Sequence, residues 1–208
     1  MVLLLLAAHR RLTTYMTSKA ADIKAVIRDL IAGIQPCDRL EKEQIADALD
    51  WIDSGANIFR IAKPDKPPKH LVAYFVLIDP KHRSLLLGDH TLAQLWLPTG
   101  GHVQLNEHPR DTVLRESEEE LGQKAVFLKN NDRPFFITAT QTVGLTPGHT
   151  DVSLWYLLRG DIHQPLNIHR QEFNDMAWFT FDEILESHPS IFQPYMHRFT
   201  RKLLQYLP

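Results

Sequence analysis

Residues 70–79, HLVAYFVLID, are β-branched, aromatic and aliphatic almost without interruption. A run of that length and composition reads as a buried strand, and a buried strand needs a sheet around it. A shorter run, RSLLLGDH at 83–90, follows the Asp79-Pro80 turn. RPFFITATQTV (133–143) and DVSLWYLLRGD (151–161) read as a strand pair around a loop with two glycines and a proline, and MAWFTF (176–181) as a last short strand. DEILES and IFQPYMHRFTRKLLQYL carry helical patterns, the second interrupted at Pro194. Strands with one helix set among them and others following predict an α+β fold, a mixed sheet sandwiched between helices.

A helical N-terminal segment precedes this sheet. Ile23, Val26, Ile27, Leu30 and Ile31 recur at helical spacing within 18–33. Asp38 is placed to cap a second helix over about 39–53, with Glu41 completing a capping box and Gly55 ending it. KPDKPPK, residues 63–69, cannot continue a helix and reads as a stiff linker. The expected organisation is a helical extension over 1–62, a linker over 63–69 and the main domain over 70–208. Leu3 to Ala8 is too short to span a bilayer, and its arginines follow the apolar run, the reverse of a secretory signal. The first 16 or so residues are expected to be a disordered or helical leader, with Met1 and Met16 both open as the start and the cytoplasm as the setting.

The chemistry concentrates in GGHVQLNEHPRDTVLRESEEELG, residues 100–122. Pro109 suits a first helical turn and Gly122 a left-handed stop. On that helix Glu116, Glu119 and Glu120 lie within an arc of about 100°, beside a core-facing arc of Leu114, Ser117 and Leu121. Glu118 points elsewhere, to solvent. Like charges at this spacing repel, and a divalent cation would cancel the repulsion. Oxygen ligands of this kind suit Mg²⁺ or Mn²⁺. LPTGG upstream offers a glycine turn whose backbone can approach a metal or phosphate closely. Arg115 can tether a carboxylate, and Glu107 stands where it can hold the loop.

This stretch resembles the Nudix box. The signature falls on Gly101, Glu107, Arg115, Glu116, Glu119, Glu120 and Gly122, all present at the family's spacing. Ser117 and Gln123 stand where the signature prefers bulky aliphatic residues, which implies looser helix packing, and Asn106 replaces a common glycine at a left-handed turn. Beyond the box the resemblance spans roughly 70–187, including LWLPTGG and WFTFDEI.

The resemblance implies a Nudix fold and Mg²⁺-dependent cleavage of a pyrophosphate bond in a nucleoside diphosphate linked to another group, with Mn²⁺ as a substitute. Glu116, Glu119 and Glu120 would be metal ligands with the Gly101 carbonyl, and Glu119 or Glu120 would double as base. Arg115 and Glu107 would support them. Glu172, six residues before Trp178, matches a glutamate that in some members approaches the metal or acts as base. No sub-signature names the substrate. The expected one is a nucleoside triphosphate, ordinary or oxidised in its base, yielding the monophosphate and pyrophosphate, and the alternatives are a CDP-alcohol or a nucleotide-sugar. A non-catalytic Nudix-fold sensor is the reading from another class.

Composition narrows the partners. A net charge of −2 provides no global positive field for a nucleic-acid polymer. The single cysteine, Cys37, allows no intramolecular disulfide. A small-molecule nucleotide is the expected partner, with no membrane and with a homodimer through the N-terminal helices left open. Of the histidines, His102 and His108 flank the box loop and His149 lies in the glycine-proline loop, but no metal-ligand spacing links them and they read as surface residues. His102, next to Gly101, could touch a phosphate. Phe75, Trp155 and Tyr156 read as core.

Overall fold

The structure, a computed structural model, describes residues 23–63, 65–145, 148–166 and 171–207. The expected leader over the first 16 or so residues lies outside them. Residues 23–32 form helix α1 and Arg39–Asp53 helix α2. Asp38 caps α2 by accepting from the Glu41 N–H at 2.8 Å. The Glu41 side chain does not close a capping box as the sequence suggests. It accepts from the Cys37 N–H at 2.7 Å and from the Lys202 ammonium at 2.7 Å. Gly55 ends the segment at φ 80°.

Seven strands follow among the described residues: β1 (Lys69–Asp79), β2 (Ser84–His90), β3 (Leu95–Leu97), β4 (Thr99–His102), β5 (Phe136–Gln141), β6 (Thr150–Arg159) and β7 (Phe173–Thr180). Helix α3 (Pro109–Leu121) lies between β4 and β5, and α4 (Phe181–Glu186) and α5 (Met196–Tyr206) follow β7. Helix α5 starts two residues after Pro194, as its missing N–H requires.

Strand β1 is the hub. One edge runs parallel to β6 over its length, from Lys69–Thr150 to Ile78–Arg159. Its other edge is divided between two antiparallel partners, β4 (Val72–His102 to Phe75–Thr99) and β2 (Ile78–Leu85 and Asp79–Ser84). Strand β2 in turn pairs with β7 and β3. The sheet is therefore mixed, as its sequence predicts, but β3 and β4 are strands that the sequence reading did not resolve.

Alternation along β1 and β6 feeds two cores. Leu71, Ala73, Phe75, Val152, Leu154 and Tyr156 join Ile27, Ile31, Ala48 and Ile52 of α1 and α2, with Val113 and Leu121 of α3. Val76, Ile78, Trp155 and Leu157 join Phe181, Ile184, Met196, Phe199 and Leu203 of α4 and α5. The sheet is thus covered by helices on both faces, and Phe75, Trp155 and Tyr156 are all fully buried. The apolar stripes of α1 and α2 are spent inside the chain. Lys202 of α5 fixes the start of α2 through Glu41 and also donates to the Phe135 carbonyl at 2.6 Å. No helix among the described residues is long and apolar enough to cross a membrane.

Candidate active site

The loop between β4 and α3 is built from its own residues. Asn106 takes the left-handed turn at φ 61°. Glu107 accepts from the Gln104 N–H and the Thr112 hydroxyl, each at 2.8 Å, which closes the loop onto the helix. The His108 ring caps α3 by accepting from the Arg110 N–H, and Pro109 occupies the first turn. At the far end Gly122 adopts φ 63°. Ser117 is fully buried, and its hydroxyl donates to the Gln123 carbonyl at 2.9 Å. It ties off the helix end where the sequence had suggested only looser packing.

Strand β4 runs beside α3, with the Cβ side of Gly101 against the helix and that of Gly100 against β1. A Cβ on Gly101 would run into the Glu116 carboxylate, and one on Gly100 into the Ala73 carbonyl. The Gly100 N–H donates to Glu120 Oε2 at 2.9 Å. Glu120 is 3% exposed, and its Oε1 is buried with no hydrogen-bond partner. Burial, with Glu116 and Glu172 nearby, pushes the Glu120 carboxyl well above the ordinary carboxylate range. Burial raises Glu116 as well, against the pull of Arg115.

Arg115 is the local cation. Its guanidinium reaches Glu116 at 2.6 Å, Glu107 at 3.2 Å and Glu119 at 3.4 Å. Burial works against its charge, but Glu107 and Glu116 more than offset it and raise the pKa further. The same contacts, again against burial, hold Glu107 below its ordinary value. Glu119 stays at the rim with its side chain 60% exposed. Glu172 sits just before β7, its carbonyl accepting from the Thr91 N–H at 3.0 Å. Its charge bears on both Glu116 and Glu120. Among the described residues, one guanidinium thus stands against Glu107, Glu116, Glu119, Glu120 and Glu172. A dication satisfies both the surplus negative charge and the orphaned Glu120 oxygen, and the all-oxygen donor set fits Mg²⁺ or Mn²⁺.

The structure brings Gly101, Glu107, Arg115, Glu116, Glu119 and Glu120 together with Glu172 beside them, and leaves Gly122 at the far end of α3 as its stop. The histidines are a correction. His70 is fully buried and His149 is 8% exposed. Both lie beside His102, with ring centroids 4.8 Å (His70–His102) and 5.1 Å (His70–His149) apart. Burial, and Arg60 after it, lowers His102 to about 4. Tyr74, also missed, is half-buried, and desolvation of its hydroxyl, then Asp151 and Glu120, raises its pKa. Linear spacing carries no trace of this grouping, because parallel β1–β6 pairing creates it.

A family model described as "NUDIX domain" matches residues 68–203. Among solved structures, a hydrolase of the NUDIX family from Clostridium perfringens aligns at 19% identity and a TM-score of 0.51, covering 67% of this chain and 98% of its own. An Ap4A hydrolase from C. elegans, in a binary complex, aligns at 15% identity and a TM-score of 0.51, covering 66% and 96%. At these identities the likeness is one of fold. Among curated proteins none matches.

Proposed function

The chain belongs to the Nudix family of pyrophosphate-bond hydrolases, and from that premise we propose that it cleaves a nucleoside diphosphate linked to a further group, with Mg²⁺ at the acidic cluster. The observation that carries this reading is the buried Glu120 Oε1, which has no hydrogen-bond partner and stands with Glu116 and Glu172. In this reading Glu116, Glu119, Glu120, Glu172 and the Gly101 carbonyl hold the ion, and Mn²⁺ can replace it. When bound, the ion neutralises phosphate charge and lowers the pKa of water.

The chain's own groups do the rest. The Gly100 N–H fixes one oxygen of Glu120 and so aims the other. Arg115 holds Glu116, and Glu107 holds Arg115 and the loop together. Glu119 is the box carboxylate with the loosest tether, at 3.4 Å, so we assign it the proton of the attacking water. The substrate in this reading is a nucleoside triphosphate, hydrolysed in the cytoplasm to the monophosphate and pyrophosphate. The outer faces of α1 and α2 are what a homodimer would have to use.

Incubation with Mg²⁺ and a panel of nucleoside triphosphates, oxidised triphosphates, nucleotide-sugars and CDP-alcohols tests both reaction and substrate. Turnover of triphosphates, lost in Glu119→Gln and Glu120→Gln, is expected. Turnover confined to another class would overturn the substrate assignment. No turnover on any compound would favour a sensor and sink the enzyme reading.

A further inference from the structure

Four residues from four parts of the chain meet at the end of β1 that lies nearest the β4–α3 loop. Asp65 lies in the turn bridged between Ala62 and Lys66, and His70 is the second residue of β1. His102 ends β4, and His149 immediately precedes β6. Antiparallel pairing sets His102 against Val72, and parallel pairing sets His70 against Asp151. The result is one ligand-capable atom from each of Asp65, His70, His102 and His149, all within 4.8 Å of one another.

The hydrogen bonding around these rings is incomplete in a specific way. His70 Nδ1 lies 2.9 Å from the Pro67 carbonyl, which can only accept, so Nδ1 carries the proton. In the neutral ring Nε2 is then a bare lone pair. That atom is buried without a hydrogen-bond partner, and so are His102 Nε2 and Asp151 Oδ1. His70 Nε2 and Asp151 Oδ1 stand 3.2 Å apart, and against burial that carboxylate, with the Pro67 carbonyl, raises the His70 pKa. Two buried imidazole nitrogens and a carboxylate oxygen thus converge without a hydrogen bond that satisfies them.

We propose that Asp65, His70, His102 and His149 form a second metal site, selective for a nitrogen-preferring divalent cation of the zinc class and distinct from the acidic cluster. Three imidazoles and a carboxylate are a zinc-type donor set, whereas the five glutamates of the cluster offer only hard oxygen. A tetrahedral site with bonds near 2.0 Å has ligand–ligand edges of about 3.3 Å. The present spacing therefore closes with small side-chain movements. Orientation is already supplied from outside. The Pro67 carbonyl fixes the His70 tautomer, and Asp151 Oδ1 stands 3.4 Å from His149 Nε2. An ion here clips the 62–66 turn and the loop before β6 onto β1 and β4, one residue beyond Gly101.

The full-length chain, stripped with a chelator, is titrated with Zn²⁺ by calorimetry and with Co²⁺ by visible absorption. One equivalent of Zn²⁺ is expected to bind, with a rise in melting temperature and an intense Co²⁺ band of tetrahedral type. Binding is expected to persist in a Glu119→Gln/Glu120→Gln variant. His149→Ala and Asp65→Ala are each expected to weaken it by at least the roughly 10–100-fold that loss of an outer-shell partner costs. Both substitutions spare fully buried His70, and circular dichroism checks that each variant folds. Zn²⁺ binding equal to wild type in both variants, binding abolished by the glutamate pair, or no binding at all would overturn the site.

Discussion

Gly100 and Glu120 are joined by a 2.9 Å hydrogen bond from the glycine N–H to Glu120 Oε2, which pins one oxygen of a nearly inaccessible carboxylate and leaves the other without a partner. A strand and a helix are thereby locked in a relation that leaves a single carboxylate oxygen bare beside Glu116 and Glu172. The chemistry proposed for this chain depends on that relation.

Glutamine keeps the shape of glutamate and removes its charge. Glu119→Gln is expected to lower kcat by about 10²–10⁴-fold, the usual range for a lost general base, and, because Glu119 is the exposed ligand at the rim, to raise the Mg²⁺ concentration needed for half activity only modestly. Glu120→Gln is expected to raise that concentration sharply. Kinetics of each variant across a Mg²⁺ titration separates the roles, and identical profiles would refute the division.

The pH dependence of stability follows from the raised carboxyls. Glu120 and Glu116 both lie above the ordinary glutamate value of 4.5 in the folded chain. Between that value and their folded pKa the native state holds protons that the unfolded chain has released. Their contribution is therefore full at low pH and lost as pH rises through the folded pKa. Bound Mg²⁺ takes the protons' place. Melting curves from about pH 5 to 8 should show stabilisation by Mg²⁺ that grows with pH; a constant increment would contradict the assignment.

Gly101 and Gly100 should fail differently. Gly101→Ala meets only a side chain, the Glu116 carboxylate, which can swing aside at the expense of the site. Activity should fall on the order of 10–100-fold while the melting temperature stays close to wild type. Gly100→Ala combines φ 140° with a clash against the Ala73 backbone. That change should cost about 1–3 kcal/mol or more, measured by urea denaturation.

The Glu41–Lys202 pair has side chains 0% and 9% exposed. Lys202→Met strands a buried carboxylate and should destabilise by about 3–5 kcal/mol. Adding Glu41→Met should recover part of that loss. A double variant as unstable as the sum of the single ones would show that the two residues do not act as a pair.

What was legible in the sequence was local. The Asp38 cap, the limits of α3, the left-handed Asn106 and the Gly122 stop all depend on neighbours within a few residues. The acidic triplet was legible for the same reason, since one helix fixes its geometry. Glu41 marks where local reading ends. Its carboxylate had a capping role open to it and instead serves Cys37 and a lysine 161 positions away. The depth of Glu120 and the short strand β4 follow from how β1 divides its edge, the short strand β3 follows from its pairing with β2, and the meeting of His70, His102 and His149 follows from the parallel pairing of β1 with β6 as well. None of this leaves a periodic signal.

The division of β1 between near and distant partners also sets an order of assembly. Its antiparallel partners β2 and β4 follow within the next few dozen residues, whereas the parallel partner β6 begins roughly 80 residues later. At about 5–20 residues per second of synthesis, that edge waits on the order of 4–16 s. The hairpin, the glycine strand and the acidic helix are all made during the interval. A growing chain can therefore carry the whole Nudix box before the strand that closes its sheet exists, and β1, apolar on both faces, is the segment that most needs protection from aggregation in that time.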